Sequence, residues 1–109
     1  MSDLKQLATD YFATFSRKDL DGLAGLFTAN PSLRDWTGSA DGKADVLAAN
    51  KAIFDSVDTI TVTPLAIYLE DNTVSAELEI LVNGEEKLLV VDVITFEGDK
   101  IASVRAYKG

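Results

Sequence analysis

Apolar residues at Leu4, Leu7, Ala8, Tyr11, Phe12 and Phe15 recur at helical spacing. They predict an amphipathic first helix of about four turns, capped by Ser2. Arg17-Lys18 closes it with charge suited to a helix C-terminus. Asp19 is placed to cap a short second helix with Leu20, Leu23, Ala24, Leu26 and Phe27 on its apolar side. Gly22 and Gly25 either weaken that helix or permit close packing. Asn30-Pro31 is expected to stop it. Residues around Leu33 suit a short strand, Gly38 opens a loop, and Ser39-Ala40-Asp41-Gly42 reads as loop. A third helix is predicted from about Lys43 to Val57, with Val46, Leu47, Asn50, Ile53, Phe54 and Val57 inward.

From Thr59 the period changes to two. Ile60 and Val62 share one parity, Leu65, Ile67 and Leu69 the other, so a bulge or bend is expected at Pro64. Glu70 to Thr73 makes a turn. Val74, Ala76, Leu78, Ile80 and Val82 then alternate with Ser75, Glu77, Glu79 and Leu81. Asn83-Gly84 is the strongest hairpin signal in the chain. Leu88 to Phe96 follows as a run that is apolar at both parities, the pattern of a central strand buried on both sides. Glu97-Gly98-Asp99 turns into a last strand, Lys100 to Tyr107.

Helices lead and strands follow, which gives an α+β class. Three helices folded over one face of a strongly curved, mostly antiparallel sheet make a cone-shaped roll with an apolar interior. The outer sheet face is expected to keep Leu89, Val91 and Val93 together with Leu78 and Ile80, and no helix remains to cover them. A homodimer through that outer face is the expected solution.

Composition narrows the function. The 109 residues fit one domain, 1–109, and 47% of them are apolar, enough for a real core. A net charge of −8 argues against nucleic acid and anionic membrane surfaces as partners. There is no cysteine, hence no disulfide and no thiol chemistry; there is no histidine, hence neither the commonest metal ligand nor the commonest general base. No metal and no cofactor is expected. The N-terminus lacks the apolar core of a signal peptide, and no run is long enough to span a bilayer, so a cytoplasmic location is the expectation.

Four polar positions stand out against this background. Asp92 interrupts the most apolar strand of the chain. A carboxylate there needs a partner, for which Arg105 and Lys100 on the last strand are candidates, or it keeps its proton and donates a hydrogen bond in an apolar pocket. Tyr11 sits inside the first helical stripe, either as an ordinary core tyrosine or as a hydroxyl aimed into a pocket. Asp35 stands beside Trp36, the only tryptophan, and reads as a turn former or as a carboxylate at a site. Asn50 is the odd member of the third helix's stripe, either a satisfied polar group or part of a pocket wall.

This order of elements, with Tyr11 and Asp35 24 residues apart, resembles the nuclear transport factor two-like superfamily and, within it, ketosteroid isomerase. The stretch Ser32 to Gly38 is similar to the family's base motif, an Asp followed three residues later by Gly. Val91-Asp92-Val93-Ile94-Thr95-Phe96 resembles its oxyanion-hole strand, and Ser103 to Tyr107 its last strand. The resemblance implies a cystatin-like cone and a proton transfer that needs no cofactor. Asp35 would be the base, with Tyr11 and a protonated Asp92 as donors to the developing oxyanion. It also implies Trp36, Phe27, Asn50, Phe54 and Lys108 around a small apolar ligand or substrate.

The sequence departs from the family at four of these places. Trp36 stands where a proline is usual. Phe27 and Asn50 stand where supporting tyrosines occur. Lys108 stands at an aromatic wall position, where a cation would hold Asp35 ionised. Two alternatives share the scaffold: a SnoaL-type polyketide cyclase, and a non-catalytic ligand-binding or dimerisation module. A limonene-epoxide-hydrolase-like site would need Arg34 and Asp35 to act together, but neighbouring strand residues point to opposite faces.

Overall fold

The computed structural model describes residues 3–109; the expected cap at Ser2 lies outside them. Helix α1 spans Leu4–Ser16 and is capped by Asp3, whose carboxylate accepts from the Gln6 amide. Asp19 caps α2, Leu20–Leu26, through the Gly22 amide. Gly22 is required for the close approach of the two helices, since a Cβ there would stand 2.9 Å from the Thr14 methyl.

The helix ends earlier than Asn30-Pro31 predicts. Strand β1 begins at once and runs Phe27–Arg34, with the proline inside it. It is tolerated because the ladder from β1 to its neighbour is interrupted between Phe27 and Ser32, where a missing N–H costs nothing. Ser39–Asp41, expected as loop, forms a short strand β2 that pairs antiparallel with β1. Helix α3 follows at Lys43–Ser56.

Four antiparallel strands complete the chain: β3 Ile60–Glu70, β4 Thr73–Val82, β5 Glu86–Glu97 and β6 Lys100–Lys108. The sheet order is β2-β1-β6-β5-β4-β3, with β1 parallel to β6. The sheet curls without closing, and the three helices pack on its concave side. Its curvature has local causes. Leu65 is the extra residue of a bulge after Pro64, as the parity switch predicts, and β5 and β6 shift register between Thr95 and Phe96.

The core lies between helices and sheet, and includes Phe12, Leu23, Val46, Leu78, Ile94, Phe96 and Ile101. Each such side chain contributes roughly 1.5–3 kcal/mol by burial. Ser16 ties the end of α1 to the edge of the sheet, its Oγ accepting from the Val62 amide at 2.8 Å. This contact, with the apolar stripe of α1, sets where Tyr11 enters the cone.

One register differs from expectation, and it matters. Asn83 and Gly84 both take positive φ, 54° and 70°, as a type I′ turn requires. Glu85 then stays unpaired, so Val82 opposes Glu86 and Leu78 opposes Val90. A two-residue turn alone would set Leu78 and Ile80 with Leu89 and Val91 on the outer face. The extra residue moves them to the inner face beside Val90. The outer face of β5 is left with Leu89 and Val91, 56% and 37% exposed, so within one chain this strand is buried on one side only.

Candidate active site

Asp92 lies on the inner face of β5, between Ala76 on β4 and Ala106 on β6. Two small neighbours leave space in front of its carboxyl. It is 8% exposed and forms no ion pair among the described residues. Neither cationic partner considered from the sequence reaches it. Arg105 opposes Val93 on the other face and is exposed, and Lys100 donates to the Gly25 carbonyl. Burial without a compensating charge pushes the Asp92 carboxyl up from 3.8 to about 7.

Tyr11 projects from α1 into the same region and is 4% exposed. Its ring packs edge-on against Phe27 at 6.1 Å and tilted against Phe12 at 5.6 Å. Burial, and secondarily the negative charge of Asp92, push its phenol well above the ordinary range. Tyr11 is therefore a hydrogen-bond donor at any physiological pH.

Asp35 is positioned by the β1–β2 connection. Its Oδ1 accepts from the Thr37 amide at 2.8 Å, the Thr37 hydroxyl at 2.7 Å and the Gly38 amide at 3.0 Å. The carboxylate is thus a turn former, as one sequence reading has it, but only through one oxygen. Oδ2 accepts no hydrogen bond among the described residues, and Asp35 lines a cavity.

That cavity, about 80 Å³, is where the polar residues meet. Tyr11, Asp35, Asn50 and Asp92 line it, with Trp36 at its mouth, 47% exposed. The rest of its wall is apolar, from Phe12 and Phe15 on α1, Leu33 on β1, Ile53 on α3 and Val62, Leu78, Ile80, Val90, Val104 and Ala106 on the sheet.

Among the described residues neither Tyr11 nor Asp92 hydrogen-bonds another side chain or the backbone through its side-chain oxygens. No buried side-chain nitrogen or oxygen lacks a partner among the described residues, so these oxygens must open onto the cavity. No three His, Cys, Asp or Glu among the described residues gather as a metal would require.

Three residues expected around the ligand lie elsewhere. Phe27 stands behind the Tyr11 ring, and Phe54 packs edge-on against Phe15 at 4.9 Å. Both support cavity-lining rings without lining the cavity. Lys108 is exposed, opposes Val90 at the end of β6, and faces an external groove with Leu89 and Tyr107. Among the described residues it forms no ion pair with Asp35. Conversely, Ile80 and Leu78 enter the wall unexpectedly, because the unpaired Glu85 decides their face. The cue available in the sequence was the parity of Leu88, Val90, Asp92 and Ile94, but it does not fix the register of the facing strand.

The SnoaL-like domain family matches residues 8–104 of this chain. No curated relative matches the sequence. Among solved structures, a Kribbella flavida protein provisionally named as a ketosteroid isomerase superposes with a TM-score of 0.85 at 18% identity, covering 97% of this chain and 77% of that one. A Sinorhizobium meliloti protein provisionally named as a polyketide cyclase gives 0.84 at 16% identity, with 93% of each chain covered. A SnoaL-like protein of unknown function from Burkholderia thailandensis gives 0.84 at 13% identity, covering 97% and 94%. At these identities the likeness is one of fold.

Proposed function

This chain belongs to the SnoaL-like domain family, and from that premise we propose that it catalyses an intramolecular proton transfer on an enolisable ketone. The observation that carries this reading is the pairing of two deeply buried acids, Tyr11 and Asp92, whose oxygens open onto one cavity without a protein partner. A ligand that enters the cavity must satisfy these oxygens, since covering them unpaired is costly.

In the proposed reaction the ketone oxygen accepts from the Tyr11 hydroxyl and from the protonated Asp92 carboxyl. Asp35 Oδ2 takes the proton from the carbon next to the carbonyl, and the electron pair moves onto the oxygen as an enolate. The two donors hold that charge in a water-poor cavity, where each is worth several kcal/mol. Asp35 then returns the proton to the far carbon of the conjugated system, which moves the double bond and leaves enzyme and atom count unchanged. Asp92 can keep its proton because it is buried. In this reading one aspartate serves as base and the other as acid.

The cavity is about 80 Å³, against roughly 150 Å³ for a closed cavity that takes benzene. A ring is therefore only partly enclosed and projects past Trp36. A binding-only module is the second reading, favoured by one observation: Phe27 meets Tyr11 with a ring edge and supplies no hydroxyl to tune it. A cyclase would use the same carboxyl chemistry on a longer polyketone.

The test is the absorbance of a conjugated ketone formed from its β,γ-unsaturated isomer, in wild type and Tyr11→Phe. The expected loss in the variant is about 10²–10³-fold in kcat, with an unchanged circular dichroism spectrum. Wild-type protein that binds phenol but turns over no such ketone would leave the binding module as the better reading.

We also infer a homodimer through the outer sheet face, where Leu65, Tyr68, Leu89, Val91 and Tyr107 are exposed together. Light scattering should give a mass near twice the chain's 11.7 kDa. Leu89→Glu, which sets a charge at the centre of that face opposite Glu79, should return the single-chain mass. A monomeric wild type would dispose of the inference.

A further inference from the structure

Asn50 is 1% exposed, on the α3 stripe between Val46 and Phe54, where the helical pattern calls for an apolar residue. Asparagine is a poor helix former, and burying its amide is costly unless every polar valence is filled. Its Nδ2 donates to the Val46 carbonyl at 3.1 Å. Its Oδ1 receives nothing: no hydrogen bond joins it to Tyr11, to Asp92 or to any other described residue. Since no fully buried side-chain polar atom is left without a partner, what little of Asn50 is exposed includes Oδ1, and Asn50 lines the cavity. Of the other unpartnered groups on the cavity, Tyr11 and the protonated Asp92 offer hydrogens, and Asp35 Oδ2 is the base of the proposed reaction, directed at a carbon-bound proton. Asn50 offers an acceptor with two free lone pairs.

We propose that Asn50 is a specificity-determining residue whose Oδ1 accepts a hydrogen bond from the ligand, so that the site takes a compact ketone carrying a second polar group, a hydroxyl or enol O–H, rather than a purely hydrocarbon ketone. The inference rests on the reading of Tyr11 and Asp92 as the carbonyl site and adds the donor that the ligand must bring. An apolar ketone would leave Oδ1 desolvated and unpaired, which a site built around an acceptor rejects. The ligand's hydroxyl fills that valence, while its carbonyl fills Tyr11 and Asp92.

The experiment uses phenol, the three dihydroxybenzenes and their mono-methyl ethers as probes, titrated by NMR into wild type and Asn50→Leu at a pH near 6. Phenol, whose single hydroxyl meets Tyr11 and Asp92 in this reading, is the reference ligand. In wild type at least one dihydroxybenzene should bind about tenfold more tightly than phenol, the effect of one added buried hydrogen bond. Its methyl ether, which keeps the shape but not the donor, should fall back to phenol's affinity or below. Asn50→Leu should hold phenol within about threefold of wild type and abolish the preference. Equal affinities for phenol and all three dihydroxybenzenes in wild type would overturn the proposal, as would a preference that survives in Asn50→Leu or in the methyl ether. Asn50→Ala, which removes the same acceptor with less bulk, serves in its place if Asn50→Leu does not fold. Wild type that binds phenol without the preference loses the Asn50 proposal alone; wild type that binds none of the probes loses the carbonyl-site reading and this proposal together.

Discussion

Asp35→Asn is expected to lower turnover of the β,γ-unsaturated ketone by about 10²–10⁴-fold while leaving the fold intact. The split follows from the two oxygens of Asp35. Oδ1 accepts three hydrogen bonds from Thr37 and Gly38 and holds the β1–β2 connection; an asparagine carbonyl can accept the same three. Only Oδ2 is free to take a proton, and the substitution replaces it with an NH₂ group that cannot. Thermal unfolding should therefore change little, within about 1 kcal/mol. Asp35→Ala, by contrast, would remove the turn bonds and confuse loop geometry with chemistry. If Asp35→Asn retains wild-type turnover, the base lies elsewhere. Among the described residues the only other carboxyl lining the cavity is Asp92, so the roles assigned to the two aspartates would have to be exchanged.

Asp92→Asn should make stability less dependent on pH. In the folded chain the Asp92 carboxyl is pushed from 3.8 up to about 7 by burial. Below the lower value it is protonated in both folded and unfolded chains and carries no penalty. As pH rises from there, the unfolded chain releases the proton while the folded chain keeps it, so folding loses stability until the folded group ionises near 7. Above that the loss is constant, on the order of 4 kcal/mol. Denaturant unfolding of wild type and variant at about pH 4.5 and about pH 8 isolates this effect, because the other acidic residues are common to both. The stability difference should shift in favour of Asp92→Asn by roughly 3–4 kcal/mol between the two conditions. A constant difference would mean that Asp92 finds a compensating partner in solution. The same titration bears on function: phenol affinity should decline as pH rises through about 7, as Asp92 loses the hydrogen it donates.

Much of this was legible in the sequence because it rests on short-range periodicity. The stripe from Leu4 to Phe15 specifies α1 and places Tyr11 on its buried side. The parity change at Pro64 marks the bulge at Leu65, and Asn83-Gly84 marks the hairpin. An aspartate inside a continuous apolar run is visibly anomalous, and the three polar residues Tyr11, Asp35 and Asp92 are identifiable before any coordinates are known. These signals depend on residue type and spacing along one element, which is all that a sequence states directly.

What the tertiary structure decided is whatever depends on two elements at once. A strand carries its own parity but not its register. The single unpaired Glu85 turned Leu78 and Ile80 inward, beside Val90 and under Asp92. Pro31 fits a strand because the parallel ladder to β6 is broken where it sits. Arg105 stands one residue from the position opposite Asp92 and so points to the other face, Lys108 sits off the cavity, and Phe27 and Phe54 lie one layer behind it. Asn50 differs from a satisfied core amide only because its free oxygen meets open space, and that space exists only once α1, α3 and the curled sheet enclose it. Burial, desolvation and hydrogen-bond partnership are properties of the volume between elements, so the sequence by itself determined which groups could do chemistry, and the packing of α1 and α3 on the sheet decided which of them share a cavity.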